Sequence, residues 1–417
     1  VSILAVLLLF GAGEIYVARV SGVINPVTSA YLVETINKAE RTDAQCLIIE
    51  LDTPGGLDES MREVIKEMLN AEIPIIVYVY PKGARAASAG AFITIAAHVA
   101  AMAPGTNVGA AHPVSAGGQQ VDSVMRDKMT NDAAAYIVSV AKERGRNEKW
   151  AEDAVRKSIS TAADEALKLK VIDIVAASEE ELLERLDGFK VTLKDTVIAL
   201  ATKEHRVVRV SMSLRERFLL TITNPNIAYI LLILGLYGLI FELQNPGAVF
   251  PGVVGGICLV FAFYAMHILP VNYAGVALIV LALIFFTMEL YVTSQGLLGL
   301  GGAAALILGS LMLFKSDIPF LKVSVEVIMV VVGITVLFFL ILLAFGIHAQ
   351  FRKPVTGQEG MVGETGVAKT KIDREGGTIA VRGELWNARC DTEIGPDEKV
   401  KVIKVEGMVL IVERCGQ

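Results

Sequence analysis

Cysteine is scarce in this sequence and falls without pattern. Cys46, Cys258, Cys390 and Cys415 stand far apart, with no C-x-x-C and no Cys/His ligand spacing. Neither a zinc module nor a disulfide framework is indicated. Excess positive charge is missing as well: 38 Lys and Arg face 44 Asp and Glu, for a net charge of −6. No global basic field is available to recruit nucleic acid. A P-loop G-K-[ST] is also absent, so any energy-driven unfolding of a substrate falls to another protein.

What the chain has in abundance is apolar side chains. They make up 53% of 417 residues and give a mean hydropathy of +0.56, more than an ordinary soluble enzyme carries. The excess is uneven. Residues 14–220 read as mixed, 226–350 as nearly all apolar, and 357–417 as polar and glycine-rich. The apolar run at 3–10, followed by Gly11-Ala12-Gly13, reads as the core and cleavage site of a signal peptide, or as an N-terminal anchor. Either sends the residues from Glu14 onward across a membrane. The layout expected is 1–13 signal or anchor, 14–190 a soluble α/β domain, 191–225 a basic juxtamembrane linker, 226–350 about five transmembrane helices, and 357–417 a small barrel.

Within 14–190, strand and helix patterns alternate. Cys46–Leu51 (CLIIEL) and Ile75–Val79 are continuous apolar runs, as in strands covered on both faces. Val27–Ala39, Leu57–Leu69, Ser88–Ala97 and Thr130–Arg144 have helical spacing. Such alternation predicts a mostly parallel sheet with right-handed crossovers. Five apolar segments come next, at about 226–243, 248–268, 273–292, 296–314 and 325–349, each near the ~20 residues that cross a bilayer. Glu242 and Glu289 stand near segment ends, which fits the membrane interface. With few intramembrane charges, a channel or transporter is disfavoured. The last sixty residues alternate with a period near two between glycine turns, which predicts an OB-like β-barrel. Trp386 is nearly its only aromatic, so base stacking is poorly supported and a protein-interaction role is preferred.

Chemistry concentrates in LDTPGG at 51–56 and GARAASAG at 83–90. Ser88 stands where a loop enters a helix of small residues. There, unpaired N–H groups and the positive dipole end favour a developing oxyanion. N–H groups of Gly56 and Ala89 can supply a two-donor oxyanion hole. A helix-capping serine explains the same pattern. Three residues come forward as base: His98, read as a satisfied histidine at a strand start; His112, in GAAHPV; and Lys128, at the start of the Thr130–Arg144 helix. A lysine serves only if burial lowers its pKa from about 10.4.

The segments ELDTPGG (50–56), PKGARAASAGAFI (81–93), MAPGTNVGAAHPV (102–114), KMTNDAAAYI (128–137), DEALKLKVID (164–173) and GELWNARCD (383–391) resemble the long-form NfeD family. These are membrane-bound serine proteases of the ClpP/crotonase superfamily, and the resemblance covers nearly the whole chain. It implies a ClpP/crotonase-like α/β protease domain, an all-α polytopic membrane block and an OB-fold C-terminal domain. It implies Ser88 as nucleophile, Lys128 as general base and Gly56 as an oxyanion donor. The wider ClpP relatives use Ser-His-Asp, with the histidine close to His112. Their aspartate falls shortly before the helix at 164–169, where this sequence has Val155-Arg156-Lys157. His112 without that aspartate is a poorer base, so the Ser88–Lys128 dyad is preferred and His112 is the alternative. Lys170 stands where relatives have glycine.

The resemblance further implies a polypeptide substrate, a stomatin-like (SPFH) membrane partner, a homo-oligomer in the plasma membrane and an extracytoplasmic protease domain. No metal or other cofactor is called for. The rival reading is a non-catalytic scaffold for an SPFH partner. A CoA-handling crotonase is disfavoured, because no acid stands near Ser88 in sequence and CoA does not suit an exported domain.

Overall fold

The structure is a computed structural model. It describes residues 13–114, 122–194, 196–203, 205–292, 294, 296–314, 316, 321–350 and 358–415. The signal or anchor expected at 1–13 lies almost wholly outside the described residues. Two compact units form: one reaches Glu289 and includes 294–335, the other holds 290–293 and the chain from Val336 on.

The first unit begins with β1 (Ile15–Ser21), α1 (Pro26–Arg41), β2 (Cys46–Asp52), α2 (Asp58–Asn70), β3 (Ile75–Val79), β4 (Arg85–Ala86), α3 (Ala89–Ala96), β5 (Val99–Met102) and β6 (Asn107–Gly109). It continues with α4 (Ser123–Glu143), α5 (Glu148–Arg156), β7 (Ser160–Ala162), α6 (Ala163–Lys168), β8 (Ile174–Val175), α7 (Glu179–Leu186), β9 (Lys190–Leu193), β10 (Thr196–Ala199), β11 (Val207–Val210) and α8 (Leu214–Ile222). The main sheet runs β11-β1-β2-β3-β5-β8 and every pairing in it is parallel.

The apolar runs explain the layering. In β2, Leu47, Ile49 and Leu51 face one core with α1, α2 and α3, while Cys46 and Ile48 face a second core with α7. Each fully buried side chain of this size contributes about 1.5–3 kcal/mol. Asn25 caps α1 by accepting from the N–H groups of Val27 and Thr28, with Pro26 in the first turn. Lys170 takes φ of +57° in the turn before β8.

Two expectations need correction. Residues 191–225, read as a linker, are folded: β9 and β10 form a hairpin, β11 pairs with β1 as the sheet edge, and α8 comes after it. The sequence missed this because short, half-exposed strands carry little periodicity. The helix expected from Thr130 starts seven residues earlier, at Ser123, so Lys128 sits inside α4. Only Ala133, Ala134, Ile137, Val140 and Ala141 are buried. The earlier turns face solvent and leave no apolar signature.

Five apolar helices occupy the membrane block: α9 (Pro225–Gln244), α10 (Val249–Ile268), α11 (Tyr273–Tyr291), α12 (Leu297–Leu313) and α13 (Val325–Gln350). Four are long and apolar enough to cross a membrane, which makes this a multi-pass membrane protein. α12 has 17 residues, a length of roughly 26 Å against a ~30 Å hydrocarbon core. Its N-terminus is held by Glu289, whose carboxylate accepts from the N–H groups of Gly296 and Gly299, both at 2.9 Å. Glycines set the helix contacts. A Cβ on Gly238 of α9 falls 2.5 Å from the Pro251 carbonyl of α10, and one on Gly255 falls 2.9 Å from the Gly235 carbonyl. Small residues at such crossings let backbones touch in lipid.

The second unit carries α14 (Gln358–Met361) and a closed barrel in the order β12-β13-β14-β16-β15, from β12 (Thr365–Ala368), β13 (Gly377–Val381), β14 (Glu384–Arg389), β15 (Lys399–Glu406) and β16 (Val409–Arg414). Ile372, Ile379, Val400, Val402 and Leu410 fill it.

Gly238→Leu is expected to wedge α9 from α10 and lower the thermal midpoint of the detergent-solubilised protein by several degrees. Gly256→Leu, where a Cβ meets nothing within 4 Å, is expected to leave it unchanged.

Candidate active site

The turn after β2 is built by Thr53. Its buried hydroxyl accepts from the Gly55 N–H and donates to the Gly55 carbonyl, both at 3.0 Å. Thr53 N–H donates to Arg85 O at 2.7 Å and Ala87 N–H donates to Thr53 O at 3.1 Å, which draws the 85–87 strand alongside. On the other flank, Ile24 N–H donates to Gly55 O at 2.9 Å and Leu57 N–H to Ile24 O at 2.8 Å. The Gly55-Gly56 turn is therefore gripped from both sides, with Ser88 directly against it. A Cβ on Gly55 falls 2.7 Å from Ser88 Cβ and 3.2 Å from its Oγ, and Gly55 itself has φ of +127°. A Cβ on Gly56 falls 2.1 Å from Ile24 O, and one on Gly90 falls 2.5 Å from Thr53 Cγ2. No side chain fits at any of the three.

Ser88 precedes α3 with φ of 50° and ψ of −116°, a positive-φ conformation that costs a non-glycine residue about 1–3 kcal/mol. It is held there by its N–H, which donates to Ala110 O at 2.7 Å. Its side chain makes no capping hydrogen bond, so the helix-capping explanation fails and the half-buried hydroxyl is left for other work. Strained serines at strand-to-helix turns present their Oγ in this manner in hydrolases. Among the described residues, the N–H groups of Gly56 and Ala89 have no hydrogen-bond acceptor. These are the two donors expected from the sequence, and they flank the serine turn.

The same segment brings up His112. Ala111 N–H donates to Ala154 O at 2.9 Å, and His112 Nδ1 lies 2.9 Å from Val155 O. A carbonyl only accepts, so Nδ1 carries the proton and Nε2 remains a lone-pair acceptor. A backbone carbonyl thus occupies the orienting position that an aspartate fills elsewhere. Lys128 is exposed on α4, and no hydrogen bond joins it to Ser88. The structure brings Ser88, Gly56, Ala89 and the His112 segment together, and leaves Lys128 on a solvent-facing turn. Thr53 and the Ala110 carbonyl were not legible in sequence as parts of the site, although Thr53 lies within the DTPGG motif.

Family comparisons agree with this architecture. Residues 14–210 match the NfeD1b N-terminal domain, 226–345 the NfeD integral membrane domain, and 358–414 the NfeD-like C-terminal, partner-binding domain. The membrane-bound protease PH1510 of Pyrococcus horikoshii is 37% identical over 412 residues, covering 96% of this chain and 93% of that protein. The chain belongs to the NfeD family. The membrane protein NfeD1b of Bacillus subtilis is 28% identical over 95% of this chain and 92% of its own length. A solved structure, the 1510-N membrane protease specific for a stomatin homolog from Pyrococcus horikoshii, is 36% identical. It covers 51% of this chain and 98% of its own, with a TM-score of 0.45. This NfeD chain is a serine protease.

His98 lies outside the chemistry. Its Nδ1 accepts from Ile75 N–H at 3.1 Å. Burial, with the Arg144 and Arg146 guanidiniums, pushes its pKa down to about 3. Between about pH 6.5 and that value the unfolded chain binds a proton that the folded chain does not. Stability contributed by neutral His98 is complete above pH 6.5 and declines by about 1.4 kcal/mol per pH unit below it. Urea titrations at several pH values should show this slope, and His98→Gln should flatten it. Gly56→Ala is expected to break the Ile24 contact and cut peptidase kcat by about 10²–10³-fold, read with a fluorogenic peptide.

Proposed function

We propose that the protein is a Ser-Lys dyad endopeptidase that cuts apolar segments of stomatin-like (SPFH) membrane proteins. The observation that carries the reading is the Ser88 turn: an uncommitted hydroxyl on a strained backbone, beside two N–H groups without acceptors. Neutral Lys128 takes the Ser88 proton as Oγ attacks a peptide carbonyl. The N–H groups of Gly56 and Ala89 stabilise the oxyanion. Lysine then protonates the leaving amine, and water hydrolyses the acyl-serine with Lys128 again as base.

Lys128 is exposed and a lysine serves as base only where burial favours its neutral form, so this chemistry needs a cover over the first turns of α4. Val124 and Met125 there are 71% and 51% exposed, and a bound apolar peptide or a second copy in a homo-oligomer supplies that cover. Apolar substrates are further supported by a cavity of about 260 Å³ that starts at Leu57, next to Gly56, and reaches Pro225, Ile268, Leu269 and Leu321 at the membrane helix ends. The 36% identical 1510-N is described as specific for a stomatin homolog, which favours the same substrate class here. The barrel recruits the SPFH partner in this reading, and the protease domain faces the extracytoplasmic side of the plasma membrane.

A second reading makes His112 the base, favoured by its Val155-bound Nδ1 and its lone pair at Nε2. Peptide cleavage by wild type, Ser88→Ala, Lys128→Ala and His112→Ala across a pH series separates the two. Loss of activity by about 10³-fold or more in Ser88→Ala and Lys128→Ala, with His112→Ala retained, is the expected result. Loss in His112→Ala with Lys128→Ala active moves the base to histidine. Unchanged cleavage by Ser88→Ala favours a scaffold.

A further inference from the structure

Lys128 belongs to the part of α4 that projects beyond the core, since burial begins only at Ala133. A general base cannot work from a frayed end: a misplacement of about 1 Å can cost a hundredfold in rate. Two guanidiniums tie this projecting segment down, and they grip consecutive residues just past the lysine. Arg62, from α2, donates through Nη2 to Asp132 Oδ2 at 2.5 Å and through Nε to Asp58 Oδ2 at 2.7 Å. Its Cζ lies 4.3 Å from the centroid of the Tyr136 ring, one turn further along α4. Arg156, from α5, donates through Nη1 to Asn131 Oδ1 at 2.7 Å and through Nε to Glu152 Oε1 at 2.9 Å.

Asn131 and Asp132 stand three and four residues after Lys128, so all three share one side of the helix. The anchors at the other ends matter equally. α2 begins two residues after Gly56, and α5 supplies Val155 O and Ala154 O to the segment bearing His112 and Ala110. Tyr136 in turn stacks on Phe92 of α3, with centroids 6.1 Å apart, four residues after Ser88. The two arginines thus connect the lysine turn to the oxyanion turn and to the segment that holds the serine N–H.

We propose that Arg62 and Arg156 are positioning residues for Lys128. This rests on the dyad reading above. Exposed ion pairs add little to stability, so their removal should be felt in rate rather than in folding. The planar fork, bonding two carboxylates while lying over an aromatic ring, is a task lysine cannot take over.

The test uses the full-length protein in detergent with a quenched fluorescent apolar peptide. Arg62→Gln and Arg156→Gln are each expected to lower kcat by roughly 10–100-fold with KM within about twofold. The loss in kcat should persist across the pH series, because a misplaced base is lost at every pH. Asp132→Asn, which keeps Arg62 over Tyr136, should reproduce the Arg62→Gln effect. The double variant should then be no worse than either single one. It also serves if Arg62→Gln proves unstable. A rise in KM with kcat unchanged, or additive losses in the double variant, overturns the positioning role while Lys128→Ala inactivity leaves the dyad standing. Full activity of Lys128→Ala overturns the dyad and this inference together.

Discussion

Everything in the catalytic half depends on a backbone-to-serine contact that only glycine permits. The Gly55-Gly56 turn lies between Ile24 on one side and Ser88 on the other, with no room for a Cβ at either position. This contact joins the carboxyl ends of β1 and β2 of the parallel sheet, the edge where open α/β folds bind ligands, to the end of β4 in the smaller β4-β6-β7 sheet. The Thr53 hydroxyl, the Arg85 carbonyl and the Ala110 carbonyl then complete a hydrogen-bonded frame around Ser88. The strain at Ser88 persists because that frame over-determines its conformation. A site so rigid offers its donors without reorganisation, the condition under which oxyanion stabilisation is most effective.

The parts of this arrangement that were legible in sequence are those whose chemistry is local. A run such as CLIIEL states its own burial on both faces, and a Pro-Gly-Gly turn after it states close approach. Ser88 before Ala89, Gly90 and Ala91 states a helix entry. Gly56 and Ala89 follow from those as candidate donors, and among the described residues their N–H groups have no acceptor. The parts that stayed hidden depend on partners distant in sequence. β11 is a four-residue strand recognisable only by its pairing with β1, and it sits inside a stretch that reads as a charged linker. The first turns of α4 carry no core-facing pattern, so apolar periodicity placed the helix start seven residues late. The two arginines reach Asn131 and Asp132 across 25 and 70 residues of sequence, and no spacing rule connects such pairs.

The two candidate bases illustrate different ways to prepare a proton acceptor. His112 is oriented by a carbonyl, which fixes its tautomer and leaves Nε2 as an acceptor, but a carbonyl carries no full charge with which to stabilise an imidazolium. Lys128 has the stronger intrinsic basicity and the greater need for desolvation. Its exposure therefore links catalysis to whatever covers α4.

The membrane helices bear on the same point. α8 leads directly into α9, and Phe218 of α8 packs edge-on against Phe261 of α10 with ring centroids 5.1 Å apart. Asn25, the cap of α1, lies within 3.4 Å of the Thr223 hydroxyl at the end of α8. The chain from Ile24, which grips the glycine turn, to the first membrane helix is thus a short path of packed and hydrogen-bonded residues. Such a path ties the glycine turn to the start of the membrane block.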